Sequence, residues 1–130
     1  MKEFSTEIWS AQIPDDWEGE EDEEGVVLYR PEGAGELQIT VTEKEEGLVD
    51  DEDLEYFAAE LIEAGHQQKI VRVGELQGLL FEYREEDTWW REWYLAYDEL
   101  FFYVTYDCDF DARHEEIQFV QDILKSISVH

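Results

Sequence analysis

The sequence predicts an α+β domain, an antiparallel β-sheet of about six to seven strands flanked by two main helices. Three observations lead there. Short segments alternate apolar and polar residues with the period of a strand, and two longer stretches repeat apolar residues at helical spacing. The third is aromatic content: Trp, Tyr and Phe make up 15% of the chain and crowd the region between the helical stretches. That supply matters because 36 Asp and Glu against 9 Lys and Arg give a formal charge of -27, which by itself favours an expanded coil. A length of 130 residues implies one domain spanning 1–130, able to bury about two-thirds of the surface its unfolded chain exposes.

The first strand is read at Trp9, Ala11 and Ile13, which alternate with Ser10 and Gln12 before a turn at Pro14-Asp15-Asp16 and then Trp17. The run from Glu18 to Gly25 has no apolar member and reads as a solvated loop. A calcium loop is the functional alternative there, but the central glycine and closing glutamate of such a loop are not in register. Val26 to Arg30 and Glu36 to Val41 form a predicted hairpin through Pro31-Glu32-Gly33-Ala34-Gly35, with Leu37, Ile39 and Val41 on one face.

The first helix carries Leu54, Phe57, Ala58, Leu61 and Ile62 on its apolar side, with Asp50 or Asp51 as its cap and Gly65 ending it in the left-handed conformation. A second helix is predicted from Asp111 to Ser128, capped by Asp109 or Asp111, with Ile117, Val120, Ile123, Leu124 and Ile127 as its buried stripe. Between the helices, Ile70 to Val73, Leu79 to Arg84, Trp89 to Tyr97 and Leu100 to Tyr106 read as four strands, three of them a meander. If Glu85 to Thr88 make its first turn, Glu82 falls opposite Arg91 and Phe81 opposite Glu92. A two-residue turn at Asp98-Glu99 then sets Trp93 opposite Val104 and Tyr94 opposite Tyr103.

On that register Leu80, Trp93, Leu95, Phe102 and Val104 share a face that belongs to the main core. Phe81, Tyr83, Trp90, Tyr94 and Tyr103 share the other with Glu92. Two readings of this second face stay open. It is packed under the other helix with its hydroxyls satisfied at the rim, or it is a half-open contact surface in which Trp90, Tyr94 and Tyr103 bind a partner.

Charge narrows the partner. Acidic residues with scarce Lys and no Asn resemble the compositional bias of a salt-loving organism; the alternative is a protein partner with a basic surface, as for an acidic inhibitor, an immunity protein or a nucleic-acid mimic. Direct binding to DNA, RNA or an anionic membrane is not expected, since the few cations are scattered. The opening residues lack a signal-peptide pattern and no run approaches a membrane span, so the expected location is the cytoplasm, in keeping with a single cysteine.

Catalysis finds little support in the residues. Cys108 and His114 are the only thiol and imidazole close in sequence, and Asp107, Asp109 and Asp111 supply a field that disfavours the thiolate. His66, His114 and His130 have no metal-ligand spacing, so no cofactor or metal is expected. A small-molecule site or an enzyme built on carboxylates is the remaining alternative, because paired carboxylates occur throughout the chain.

The order of these features carries a resemblance. A strand ending Ile13-Pro14-Asp15-Asp16-Trp17, a hairpin through Pro31-Glu32-Gly33, one helix, an aromatic meander and a closing Ile123-Leu124-Lys125-Ser126-Ile127 resemble small bacterial proteins of the Mog1/PsbP-like group over nearly the whole chain. The resemblance implies a sheet flanked by helices and a non-catalytic role as adaptor, assembly factor or secretion-effector chaperone, with no site residue carried over by position.

Overall fold

A computed structural model describes residues 1–130. Ten strands occur in chain order: β1 (Lys2–Ser5), β2 (Trp9–Ile13), β3 (Glu18–Glu21), β4 (Val26–Tyr29), β5 (Gly35–Glu43), β6 (Gln68–Val73), β7 (Leu76–Glu85), β8 (Thr88–Tyr97), β9 (Leu100–Asp109) and β10 (Ser128–Val129). Helices α1 (Asp51–Phe57) and α2 (Ala59–Glu63) lie between β5 and β6, and α3 (Ile117–Lys125) lies between β9 and β10. Seven strands form one antiparallel sheet in the order β3-β4-β5-β9-β8-β7-β6, and β1-β2-β10 form a second, smaller one. The predicted fold class is the observed one.

The meander registers follow the turns. Loops Glu86-Asp87 and Asp98-Glu99 each join strands with two residues, and Glu86 and Asp98 take the positive φ that such turns require. Glu82 therefore pairs with Arg91, Phe81 with Glu92, Trp93 with Val104 and Tyr94 with Tyr103, as the sequence predicts. Alternation then sends Leu80, Trp93, Leu95, Phe102 and Val104 to one face. There they meet Leu28, Leu37 and Ile39, and β2 and α3 cover them with Trp9, Ala11, Ile13, Val120, Ile123 and Leu124. Each fully buried Leu or Phe of this core contributes about 1.5–3 kcal/mol through the apolar surface it removes from water.

Several expectations are corrected. The acidic run after Trp17 is not all loop: Glu18–Glu21 pair with β4 as an edge strand, and Tyr29 donates its hydroxyl to Glu18 at 3.3 Å and Glu20 at 3.2 Å. Backbone pairing at a sheet edge needs no apolar side chain, so the sequence pattern is silent there. The first helix is two helices, broken at Ala58, and its outer positions Phe57 and Ile62 are exposed instead of buried. Asp50 caps α1 in a reciprocal box with Asp53, and Gly65 (φ 86°) ends α2 through the bonds Gly65 N–H to Ile62 and His66 N–H to Leu61.

The closing helix is shorter than predicted, and neither Asp109 nor Asp111 caps it; residues 110–112 form a single 3-10 turn. Its start is set by Glu116, whose carboxylate turns into the protein. Its end is set by Ser126, whose hydroxyl accepts from Gln12 N–H at 2.8 Å and donates to the Ile123 carbonyl at 2.7 Å. The chain after it is extended, and β10 pairs with Trp9 and Ser10. Strands β1 and β10, absent from the sequence reading, are short segments whose only strand partner is β2, with Phe4 and Val129 packed against the main core.

The glycines of the 31–35 turn serve approach and not dihedral freedom. The positive φ belongs to Glu32, after Pro31, in a turn closed by Gly33 N–H to the Arg30 carbonyl at 2.7 Å. A Cβ at Gly33 would collide with the Glu116 carboxylate, and one at Gly35 with the Asp107 carbonyl. Glu116 is fully buried there; its Oε1 accepts from Gly35 N–H and from the Tyr106 hydroxyl, both at 2.9 Å, and Arg30 Nε lies 3.2 Å from Oε2.

Two measurements follow from this architecture. Thermal stability rises with sodium chloride, because the Debye length shrinks from about 30 Å at 0.01 M to about 3 Å at 1 M and screens the repulsion among exposed carboxylates; a flat or falling melting temperature would show that repulsion does not limit the fold. Glu116→Ala loses about 3 kcal/mol or more in denaturant unfolding, since Tyr106 and the Gly35 N–H are left buried without their acceptor; a loss below about 1 kcal/mol would assign the carboxylate no such role.

Candidate partner-binding face

The second face of the sheet is covered at one end only. Leu54 and Ala58, backed by Leu61, pack on Leu79, Phe81, Tyr94, Ala96 and Phe101 to form a separate small core. Phe57 stacks on Phe101 at 4.3 Å between ring centroids. The helices are positioned from below: Lys44 N–H binds the Glu99 carbonyl, Val49 N–H binds the Asp98 carbonyl, and Lys44 Nζ reaches Asp53 at 2.6 Å. That ammonium, together with the Asp50 N–H, holds Asp53 below the usual carboxylate range.

Beyond the helices the face opens, and the three residues predicted to bind a partner divide. Tyr94 is buried at 6% exposure, edge-on to Phe81 at 5.6 Å, so its placement in an open surface is corrected: α1 reaches far enough to cover it. Trp90 and Tyr103 are half-buried; Tyr103 packs against the margin of the small core and Trp90 lies outside it. Trp90 stacks with Tyr83 at 6.3 Å and 12°, and Tyr83 stacks in turn with His66 at 4.7 Å and 29°, so three half-exposed rings form a row. His66 enters this row because the Gly65 turn directs the chain from α2 into β6; no sequence periodicity signals it.

Glu92 fixes the row from within. It is 7% exposed, and its carboxylate accepts from three phenols: Tyr94 at 2.9 Å and Tyr103 at 2.7 Å on Oε1, and Tyr83 on Oε2. Cross-strand pairing explains the convergence. Tyr94 lies two residues along the same face of β8, Tyr103 is the direct partner of Tyr94, and Tyr83 pairs with Trp90 beside Glu92. The face is thus held by charge-assisted bonds between side chains on three rigid strands. Burial, and after it the Glu92 carboxylate, pushes the phenols of Tyr83, Tyr94 and Tyr103 well above their ordinary range; burial and Glu116 do the same to Tyr106.

The thiol and imidazole lie elsewhere. Cys108 is buried in the main core, where burial pushes its thiol up, and His114 is exposed on the turn after β9. No group of three His, Cys, Asp or Glu side chains is arranged to hold a metal ion. No helix is long and apolar enough to cross a membrane.

No protein-family model matches the chain, and no curated protein sequence matches it. Solved structures do. LpqN, involved in cell envelope biogenesis of Mycobacterium tuberculosis, is similar with a TM-score of 0.69 at 12% identity, over 93% of this chain and 82% of LpqN. A Bacteroides thetaiotaomicron protein is similar with a TM-score of 0.66 at 15% identity, over 94% of this chain. This chain spans 45% of the length of that protein. Cyanobacterial PsbP (CyanoP) from Synechocystis gives a TM-score of 0.48 at 13% identity, over 99% of this chain and 92% of CyanoP. The likeness to LpqN and the Bacteroides protein is one of fold.

The tyrosine shifts have a definite consequence at high pH. A phenol raised in the folded state keeps its proton where the unfolded chain releases it, so the stability it contributes is complete below about pH 10 and is lost as pH rises beyond that value. The urea midpoint is therefore expected to fall steeply above about pH 10, and unfolding to release tyrosinate absorbance in the same transition. Tyrosinate assigned to Tyr83, Tyr94 or Tyr103, by difference against their Phe variants, appearing at about pH 10 while the fold persists would contradict the Glu92 arrangement.

Proposed function

We propose that the chain is a non-catalytic protein-interaction module, of the adaptor, assembly-factor or chaperone kind, on a Mog1/PsbP-like scaffold. The observation that carries this reading is the row of His66, Tyr83 and Trp90 with Tyr103: half-exposed aromatic side chains at the margin of the α1–α2 cover, the last three of them on strands β7, β8 and β9 and His66 on the loop that follows α2. Such side chains offer large contact area at low entropic cost, with a polar edge at the rim. Glu92 is engaged by three donors already, which suits a carboxylate that holds a surface in shape. LpqN, which shares the fold, takes part in cell envelope biogenesis, and an assembly role for this chain is in keeping with that.

A second reading, an acidic inhibitor or immunity protein for a basic partner, is favoured by one feature. Glu18, Glu20, Glu21, Asp22, Glu23 and Glu24 are all exposed along the β3 edge and the turn after it. The two readings differ in site and in salt dependence: a basic partner held at that edge dissociates as salt rises, whereas aromatic contact persists.

Substitution separates surface from core. Trp90→Ala and Tyr103→Ala are each expected to weaken binding of a partner captured by a photo-crosslinker on this face by about tenfold or more, while costing the fold less than the buried control Tyr94→Ala, which loses about 3 kcal/mol. Unchanged affinity in both surface variants would remove the face from the binding site.

A further inference from the structure

We propose that β6 is an acceptor edge that takes up, as an added antiparallel strand, an extended segment of another protein carrying acidic residues around an apolar pair. The inference rests on the interaction-module reading and assigns it a second surface with its own chemistry. β6 ends the seven-stranded sheet and pairs with β7 alone, so every second N–H and C=O along it points outward.

The two edges of this sheet are built differently. β3, at the far edge, is Glu-Gly-Glu-Glu, a strand whose charges repel another acidic strand. β6 reads Gln-Lys-Ile-Val-Arg-Val: it holds two of the chain's nine Lys and Arg and no acid, in a protein of formal charge -27. Neither Lys69 nor Arg72 forms an ion pair or a side-chain hydrogen bond, and among the other Lys and Arg only Lys2 and Lys125 share this, while Arg30, Lys44, Arg84, Arg91 and Arg113 do one or the other. At the middle of the edge Ile70 is 88% exposed, more than any other large apolar side chain of the protein. A groove of 510 Å³ runs beside it toward α1, lined by Leu54, Leu79, Ile70 and Arg72, with Asp51 and Glu55 on the helix side.

Strand geometry turns these positions into a recognition pattern. Gln68, Ile70 and Arg72 face the α1 side, and Lys69, Val71 and Val73 face the main core side. An incoming strand hydrogen-bonds to the free backbone groups, sets apolar side chains beside Ile70 and Val71, and brings one carboxylate to each cation, on opposite faces. A second copy joined through β6 in antiparallel fashion about its centre does not fit this pattern, because Lys69 of each copy then opposes Arg72 of the other.

The test uses the full chain and a random linear peptide library displayed on phage. Enriched peptides are expected to carry Asp or Glu on each side of an adjacent pair drawn from Val, Ile and Leu, and a synthetic peptide of the enriched sequence to shift backbone amides of Gln68–Val73. The double variant Lys69→Glu/Arg72→Glu, whose two positions are exposed and whose melting temperature serves as the check on folding, is expected to bind that peptide at least about tenfold more weakly and to select basic peptides instead. Enrichment of Lys- and Arg-rich peptides on the parent chain, affinity indifferent to the charge reversal, amide shifts centred on Trp90 and Tyr103, or no enrichment at all would each overturn the proposal. So would concentration-dependent self-association abolished by charge reversal at Glu18 and Glu21, which would assign the edge to a second copy joined head to tail. Trp90→Ala and Tyr103→Ala are expected to bind the peptide unchanged, so failure at β6 and failure of the aromatic face are separable.

Discussion

Burial of β8 and β9 on both faces is the constraint on which the molecule depends. These strands lie inside the seven-stranded sheet, and all their side chains but Asp109 are buried or half-buried, on one face under β2 and α3 and on the other, at its covered end, under α1. A sheet covered on both sides removes far more apolar surface per residue than one with a wet face. That surplus opposes the self-repulsion of a chain with formal charge -27 and explains why the aromatic residues concentrate between the helices and not at the ends.

Two buried carboxylates convert this packing into a specific structure, one on each face. Glu116 ties the 31–35 turn, β9 and the start of α3 together through Gly35, Tyr106 and Arg30. Glu92 ties β7, β8 and β9 through three tyrosine hydroxyls. Glu92 is met by neutral donors alone, and Glu116 by two neutral donors and the single cation Arg30, so each carboxylate is held inside with few of the cations that this chain lacks. The same economy leaves Lys69 and Arg72 conspicuous at the β6 edge, where no carboxylate of the protein reaches them.

Under the proposed interaction role, the uneven cover over the second face links architecture to recognition. α1 and α2 together span thirteen positions, from Asp51 to Glu63, and this short pair covers only the end of the face near Phe81, Tyr94 and Phe101. The uncovered end keeps its shape because Glu92 holds the phenols from below. A surface that is apolar, aromatic and rigid before a partner arrives loses little freedom on binding. The β6 edge offers the other common mode, backbone pairing, and the two lie on neighbouring parts of one sheet.

How much of this was legible follows from the range of the interactions. Period-two alternation and two-residue turns are local, so the meander registers, down to Phe81 opposite Glu92 and Tyr94 opposite Tyr103, could be read from residues alone, as could the Asp50 cap and the Gly65 stop. The strand β3 was not legible, because an acidic edge strand pairs by its backbone and has no pattern in its side chains. The burial of Tyr94 beside the half-exposure of Trp90, two faces of a single expectation, depended on where α1 lies over the sheet, and its first turn is anchored there by the Lys44 loop and the Asp53 pair. By itself the sequence determined the strands, their pairing in the meander and which side chains share a face, since these follow from backbone geometry between near neighbours. Only the tertiary structure decided which of those side chains are covered, which carboxylates are held inside and which edge is left open, because each of these depends on contacts between segments far apart in the chain.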